Sequence, residues 1–301
     1  MGKNRTLDEK SRFRILTVIA AVSVLAHLVC GIVGLLISEH VFFVSLSIWC
    51  LGGLLLAIFH GVPMLGVKNM VILSVISAAA SLFFESMGIN FGLFFSKYIY
   101  TDIIPGPKLF GFDVYSIIGY GIGIYLVWAV AQAAAGKFDN EYRKGDVFII
   151  PIIATFLVVA VDYATDPLMA TISKAYLWVE PGVYYGIPFQ NYLGWYLMAY
   201  VLFQCAALVL WWQSRKKTLK PVPEISQKKK FWYYPPIIYG SLFLQMPFYA
   251  LINKSTEIVT YSGQTLMTGD IYKGVAIVYV GAILAPTVII LARISRSKEL
   301  K

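Results

Sequence analysis

The sequence predicts an all-α fold, a polytopic bundle of about eight transmembrane helices with both termini in the cytoplasm. Hydrophobic residues make up 58% of the 301 residues and charged residues only 14%, whereas soluble domains carry about a quarter charged residues. The apolar residues form continuous runs of roughly 20 residues, the length that crosses a bilayer core. Lysine and arginine concentrate in alternate loops between these runs.

The predicted helices are the eight apolar runs of the chain. They cover residues 15–38, 41–60, 69–88, 114–135, 147–165, 192–213, 235–252 and 274–292. The runs lack the alternation of apolar and polar residues that marks a membrane β-barrel. Pro247 and Pro286 lie inside the last two helices and are expected to kink them. The whole chain, 1–301, is expected to form a single integral membrane domain.

Basic residues set the predicted orientation. With eight helices, the side that holds both termini carries 20 of the 25 Lys and Arg residues. Since positively charged loops stay in the cytoplasm, both termini are expected there, and the protein is expected in the cell membrane. The net charge of +9 therefore reflects topology, and nucleic acid is not an expected partner. The basic loop 215–230 also offers a contact for anionic membrane lipid.

Cysteine, histidine and glycine patterns predict no metal site, disulfide or other cofactor. The three cysteines lie apart inside apolar runs and have no paired spacing. His27 is expected to be a packed polar residue, whereas His40 and His60 fall at helix ends and are expected to be exposed. Gly119 to Gly123 form a Gly-x-Gly-x-Gly run inside a helix. This run indicates close helix packing rather than a dinucleotide site.

Three acidic residues near helix ends are the candidate catalytic groups. Glu85 lies near the end of the third helix, and Asp162 and Asp166 lie near the end of the fifth. All three are expected at the non-cytoplasmic side, where they can converge. A carboxylate near hydrocarbon is costly and marks a functional site by default.

The two aspartates are expected to act together. Asp162 and Asp166 are four residues apart and share a helix face, and Pro167 is expected to end that helix at Asp166. A structural hydrogen bond to a neighbouring helix is the alternative role for Asp162. An ordinary helix-end position is the alternative role for Asp166.

Each acidic segment is followed by an aromatic loop that Gly and Pro interrupt. Most of the loop aromatics fit the belt found at membrane surfaces, but Tyr98, Tyr100 and Trp178 lie nearest the acidic positions. Glycine lets the backbone approach a neighbour or ligand closely. The candidate substrate-binding residues are Gly88, Gly92, Tyr98, Tyr100, Trp178, Tyr185, Asn191 and Trp195.

Carboxyl groups and aromatic rings beside lipid can add water to an isoprenoid double bond. Neighbouring carboxyls at low dielectric favour a state in which one keeps its proton. A protonated acid can donate that proton to an electron-rich alkene. Aromatic faces stabilise the cation that results, and a retained water can attack it. This chemistry, hydration or isomerisation, requires no cofactor.

The same residues resemble a membrane carotenoid-biosynthesis family, of the bisanhydrobacterioruberin hydratase and γ-carotene 1′-hydroxylase type. The first family motif falls on Glu85, Gly88, Gly92, Phe95, Tyr98, Tyr100 and Thr101. The second falls on Asp162, Asp166, Pro167, Trp178, Tyr184, Gly186, Ile187, Pro188, Asn191, Gly194 and Trp195. The resemblance is concentrated in residues 80–200.

The resemblance implies an activity that the residue pattern alone leaves open. It implies a hydratase that adds water across the terminal C1–C2 double bond of an acyclic carotenoid and gives a tertiary alcohol. The implied substrate is a carotenoid or other long isoprenoid within membrane lipid.

Three residues depart from the family pattern. Phe94 and Ser96 stand where the first motif has Pro and Gly, and Asp113 stands where a Pro is expected after Gly111-Phe112. These departures are expected to reshape the first loop.

Two other functions fit part of the pattern. Asp162 and Asp166 have a spacing that suggests the magnesium–diphosphate motif of a polytopic prenyltransferase, but Glu85 and Asp102 lie too far apart to form the second acidic motif. A proton-coupled transporter also uses intramembrane acids, and inverted repeats would favour it. The two acidic segments here run in the same predicted orientation.

Overall fold

The computed structural model describes residues 8–36, 41–104 and 106–301, and it is mostly helical. The α-helices are α1 Glu9–Leu36, α2 Val41–Leu56, α3 Val62–Phe91, α4 Val114–Ala135, α5 Asp146–Asp166, α6 Phe189–Arg215, α7 Lys229–Ser241, α8 Met246–Ile252, α9 Thr268–Val278 and α10 Ala285–Arg296. The short strands are β1 Tyr98–Tyr100, β2 Lys108–Leu109, β3 Phe112–Asp113, β4 Tyr176–Trp178, β5 Glu257–Val259 and β6 Thr265–Met267. The predicted all-α polytopic bundle is confirmed.

Wider or tighter helical turns join several of these helices. The π-helical turns cover Ala57–Gly61, Pro167–Ile172 and Tyr279–Leu284, and a 3₁₀ turn covers Glu224–Gln227. Helix α7 ends at Ser241 and α8 begins at Met246, so the predicted seventh helix is interrupted just before Pro247. Pro286 lies in the first turn of α10, directly after the last π-helical turn.

Seven described segments are long and apolar enough to cross a membrane, and one of them accounts for two predicted helices. This segment, Ser47–Phe91, has 45 residues and would be about 68 Å long as a straight helix, twice the thickness of a bilayer core. Gly66 interrupts it with φ 81° and ψ 158°, values that favour glycine. A side chain at Gly61 would collide with the thioether of Met70, nine residues later, so the segments on either side of Gly66 lie close together. The chain therefore turns back at Gly66, which divides this segment into two apolar helical lengths, as the two predicted helices 41–60 and 69–88 require.

Hydrogen bonds between distant segments define one end of the bundle, which we call the basic end. The Arg12 guanidinium donates to the carbonyl of Phe59 over 2.9 Å. The Asn140 amide donates to the carbonyls of Met64 over 2.7 Å and Lys220 over 3.1 Å. The start of α1, the turn after α2 and the loops after α4 and α6 therefore meet at this end, as the alternation of basic loops predicts.

A fusion experiment tests the orientation of the bundle. Reporters fused at residues 140 and 222 are expected to show a cytoplasmic location, and reporters at 180 and 262 a non-cytoplasmic one, because positive loops resist translocation. Activity of a cytoplasmic enzyme and of an exported enzyme at each fusion point gives two complementary readouts. A swapped pattern would place the carboxyl groups on the cytoplasmic face.

Helices α3 to α6 form two matched halves. One half is α3–β1–α4 and the other is α5–β4–α6, and β1 pairs with β4 in antiparallel register. Gly111 with φ 85° and Gly186 with φ 88° each lie two residues before an N-cap. Asp113 is the N-cap of α4 and Pro188 that of α6. The two halves are therefore repeats of the same orientation.

Two local predictions were wrong. His60 is completely buried, because the π-helical turn directs it inward, where its Nδ1 lies 2.7 Å from the Tyr125 hydroxyl. A side chain at Gly121 would pack against Ser74 of α3, whereas a side chain at Gly119 or Gly123 would meet open space. Close helix packing is therefore at Gly121 alone of the three. His27 is buried as predicted, and His40 lies outside the described residues.

The α-helix that carries the two aspartates ends at Asp166, as predicted, but a π-helical turn continues the helical backbone beyond it. Asp166 keeps helical dihedral angles, and Pro167–Ile172 follow as a π-helical turn. Proline is tolerated in the first turn of a helix because its missing N–H would have no partner there. Both aspartates consequently stay on a helical backbone.

Candidate functional site

The three predicted carboxyl groups converge at the end of the bundle opposite the basic end. The β1–β4 pairing joins the loops that follow α3 and α5. Glu85 and Asp162 are each 5% exposed and Asp166 is 4% exposed. No ion pair within the described part of the chain includes any of the three. Their hydrogen-bond partners are tyrosine hydroxyls and one asparagine amide.

Glu85 accepts hydrogen bonds on both carboxyl oxygens. The Tyr98 hydroxyl, from β1, donates to Oε2. The Tyr120 hydroxyl, from α4, donates to Oε1 over 3.1 Å. Two donors aimed at two oxygens suit an ionised carboxylate.

Asn191 and Tyr176 hold the aspartate pair. The Asn191 Nδ2 donates to Oδ2 of Asp166 over 2.5 Å and lies 3.4 Å from Oδ2 of Asp162. The Tyr176 hydroxyl, from β4, donates to Oδ1 of Asp166. The carboxyls of Asp162 and Asp166 also lie within hydrogen-bonding reach of each other, and a hydrogen bond between them requires a proton on one of the two.

The strand tyrosines are neutral donors. Burial, with Glu85 nearby, raises the pKa of Tyr98 well above its usual value. Burial, with Asp166 and Asp162 nearby, raises the pKa of Tyr176 in the same way. Because both phenols keep their protons at neutral pH, each can donate to its carboxyl.

Aromatic rings surround the carboxyl groups. The Tyr98 ring lies 4.8 Å from Trp178 and 5.9 Å from Tyr176, between ring centroids. The Tyr120 ring lies 5.5 Å from Trp195. The faces of such rings attract a positive charge, so a carbocation formed near the carboxyls would be stabilised. Tyr100 joins this group by packing 5.6 Å from Tyr176.

The remaining predicted binding residues have other surroundings. A side chain at Gly88 would crowd the rings of Phe95 and Tyr98, so Gly88 allows the first loop to pack on α3. Gly92 ends α3 with φ 67°, a C-cap conformation that favours glycine. The ring of Tyr185 packs 4.8 Å from Tyr184, and its hydroxyl lies against Gly274 in α9. Tyr185 makes no described hydrogen bond to a carboxyl.

Two site residues were not predicted as such from the sequence. Tyr120 lies inside an apolar helix, where aromatic residues are common, and Tyr176 resembled a residue of the aromatic belt. The repeat could have identified Tyr176 as the counterpart of Tyr98. Because Ile99 pairs with Leu177 at the centre of the two strands, a half-turn about that point exchanges Tyr98 with Tyr176.

The departures from the family motif have structural consequences. Phe94 has φ 70°, and the N–H of Phe95 donates to the carbonyl of Leu93 over 2.9 Å, which forms a γ-turn. Proline cannot adopt this conformation, so the Pro of the family motif does not fit this turn. Ser96 also has φ 70°, a value that suits the Gly of the motif. Asp113 instead caps α4 by accepting from the N–H of Ser116 over 3.0 Å.

A proline at position 94 tests this turn. Phe94→Pro is expected to destabilise the protein by more than about 1 kcal/mol beyond Phe94→Ala, because proline fixes φ near −65°. Phe94→Ala serves as the matched control, since both variants lose the ring that packs 4.8 Å from Phe84. Thermal unfolding in detergent measures the difference. Equal melting temperatures for the two variants would show that the γ-turn is absent.

Comparison with known proteins identifies the family. The family model described as carotenoid biosynthesis protein matches residues 43–226, which is more than half of the chain. The chain belongs to this family. The match runs from α2 to the turn before α7 and includes all three carboxyls, so this carotenoid biosynthesis protein carries its candidate site within the family region. No curated protein and no solved structure matches the chain.

The potential metal ligands at the site of this carotenoid biosynthesis protein are its three carboxyls. Within residues 8–36, 41–104 and 106–301, no group of three or more His, Cys, Asp or Glu side chains is arranged to hold a metal ion. Glu85, Asp162 and Asp166 instead present a pair and a single carboxyl, each fixed by neutral donors. This arrangement can hold protons and place them at defined oxygen atoms.

Proposed function

We propose that this carotenoid biosynthesis protein is a hydratase. It adds water across the terminal C1–C2 double bond of an acyclic carotenoid end and produces a tertiary alcohol. The observation that supports this activity best is the group of three buried carboxyls, partnered by neutral donors and surrounded by aromatic rings. A buried carboxyl without a cationic partner is costly as an anion, so the group favours a state that retains a transferable proton.

The proposed reaction balances without an oxidant or reductant. A carboxylic acid of the site transfers its proton to C2, the less substituted carbon, and the double-bond electrons form the new C–H bond. The positive charge then resides on C1, a tertiary carbon. A water oxygen bonds to C1, and a carboxylate of the site takes the proton that this water releases. The sum is one alkene plus one water, giving one alcohol.

The site also suits a substrate dissolved in lipid. The carboxyls lie within the apolar bundle, so a carotenoid could approach from the bilayer of the cell membrane, where we place the protein. The aromatic rings beside Glu85 and the aspartates are suited to pack against a polyene chain and to stabilise its terminal cation.

The two alternative functions have less support. The diphosphate of a prenyltransferase substrate needs basic partners, and none of the ion pairs formed by the described residues brings a Lys or Arg to these carboxyls. A transporter of the inverted-repeat type would have its two halves in opposite orientations. Here both halves place their strands in one sheet, and so the halves run the same way.

Pigment analysis tests the proposed activity. The chain is expressed in a host that accumulates an acyclic carotenoid, beside the same host with an empty vector. We expect a more polar pigment whose mass exceeds that of the precursor by one or two waters, and whose hydroxyl is tertiary. A pigment profile identical to that of the empty vector, with the protein present in the membrane, would argue against hydration.

A further inference from the structure

The three carboxyl groups receive hydrogen bonds of unequal number and quality. Glu85 accepts from two tyrosine hydroxyls. Asp166 accepts from Tyr176 and, over 2.5 Å, from Asn191. Among the described N–H and O–H groups, only the Asn191 amide reaches Asp162, and its distance is 3.4 Å. The donors are therefore concentrated on two of the three carboxyls.

This inequality determines where a proton is best held. Hydrogen bonds from N–H and O–H groups stabilise a carboxylate more than a carboxylic acid. Glu85 and Asp166 therefore have the better partners for a negative charge. Asp162 has only a weak donor, the Asn191 amide, but it has an acceptor in the carboxyl of Asp166, which lies within hydrogen-bonding reach. A proton on Asp162 can form a hydrogen bond to Asp166. A proton on Asp166 would instead compete with the two hydrogens that Tyr176 and Asn191 donate to the same carboxyl.

On the basis of the proposed function, we infer that Asp162 is the proton donor, and that Tyr98, Tyr120 and Tyr176 are positioning residues that hold Glu85 and Asp166 as carboxylates. Tyr98 and Tyr176 have equivalent positions and the same hydrogen-bonding role in the two halves of the repeat. A half-turn about the Ile99–Leu177 pair exchanges them, and each donates to a carboxyl of its own half. Tyr120 adds the second donor to Glu85.

This assignment gives each carboxyl a step in a closed proton cycle. Asp162 transfers its proton to C2 of the alkene and becomes a carboxylate. Asp166 takes the proton that the attacking water releases, and the hydrogen bond between the two aspartates returns it to Asp162. Glu85 stays ionised throughout and stabilises the tertiary cation. One water enters the product, and all three carboxyls end in their starting state.

Infrared spectroscopy of the purified protein in lipid nanodiscs tests the assignment without substrate. A protonated buried carboxylic acid gives a carbonyl stretch separate from that of a carboxylate, and this band shifts in deuterium oxide. We expect one such band at neutral pH, lost in Asp162→Asn and retained in Glu85→Gln and Asp162→Glu. Helical circular dichroism of each variant checks that it is folded.

Other infrared outcomes would overturn the assignment. A wild-type spectrum without the band would show that no site carboxyl is protonated. A band lost in Glu85→Gln or Asp166→Asn but retained in Asp162→Asn would assign the proton to another residue. Because no carotenoid is present, a band on Asp162 would stand even if the pigment assay detected no hydration.

Tyr176→Phe tests the positioning role. The variant keeps the ring and loses the donor to Asp166, so we expect kcat to fall on the order of tenfold with KM nearly unchanged, and the carbonyl band to shift. Tyr233→Phe, on α7 at the basic end, is the matched control and should change neither. A Tyr176→Phe variant with unchanged kcat and an unchanged band would refute the positioning role.

Discussion

Asp162→Asn is expected to abolish turnover, with a loss on the order of 10³-fold or more, while the protein stays folded in the membrane. Asparagine has nearly the same shape as aspartate and can still hydrogen bond to Asp166. It has no acidic proton to give to the alkene, and proton transfer by a positioned acid contributes about 10²–10⁴-fold to enzymatic rates. Initial rates of alcohol formation in membranes, normalised to protein amount, measure the loss.

A matched variant separates this effect from a general change of charge. Asp102→Asn removes a carboxyl from the loop after β1, where the Asp102 side chain is fully exposed and pairs with Lys108 over 3.3 Å. It is expected to leave turnover unchanged, because exposed ion pairs contribute little. If Asp162→Asn also kept near-normal turnover, Asp162 would have a structural role only.

Glu85→Gln is expected to have the second largest effect, a loss of turnover on the order of 10²-fold. The substitution removes the negative charge that faces the developing cation, and removal of one preorganised electrostatic partner costs about 10²–10³-fold in other enzymes. The amide cannot reproduce a carboxylate that accepts from both Tyr98 and Tyr120. We expect kcat to fall more than KM rises, since the charge acts mainly in the transition state.

The exposed Glu180 in the loop after β4 supplies the control for this variant. Glu180→Gln changes the net charge by the same amount and is expected to have wild-type kcat. Equal kcat values for Glu85→Gln and Glu180→Gln would remove Glu85 from the reaction and leave the two aspartates as the whole acid–base site.

The helices were predictable because hydrocarbon imposes a length on every span. The run at 114–135 was predicted with the bounds that α4 has, and α5 and α6 differ from prediction by a few residues at each end. The convergence of Glu85 with the aspartates was predictable for a related reason. The third and fifth spans run in the same direction, so residues near their C-terminal ends lie at the same face of the membrane.

The contacts within the site were less predictable, because they depend on pairing between distant segments. The donors Tyr98 and Tyr176 reach their carboxyls through the register of β1 on β4, and two three-residue strands have no pattern that reveals their register. Tyr120 has the same apolar surroundings in sequence as any core tyrosine. The π-helical turns that bury His60 and extend the helix past Pro167 add residues to a helix without a sequence period that marks them.

In the first loop, two residues depart from the family motif, and the sequence alone did not reveal how these departures affect the backbone. Phe94 and Ser96 differ from the family motif, and the structure shows what each replacement entails. The backbone at Ser96 keeps a conformation that suits the motif's glycine, whereas the backbone at Phe94 adopts one that the motif's proline cannot. The backbone of this loop therefore differs at Phe94 from the conformation that a proline requires. The hydroxyl of Tyr98 nevertheless donates its hydrogen bond to Glu85.

The origin of the hydroxyl oxygen separates hydration from oxygenation most directly. Membranes that contain the wild-type protein are incubated with an acyclic carotenoid in ¹⁸O-labelled water without molecular oxygen, and the product is analysed by mass spectrometry. A hydratase is expected to form product under these conditions and to place the label in the tertiary hydroxyl. A product that forms only when oxygen is admitted, and takes its label from ¹⁸O-labelled molecular oxygen instead of water, would contradict the hydratase mechanism.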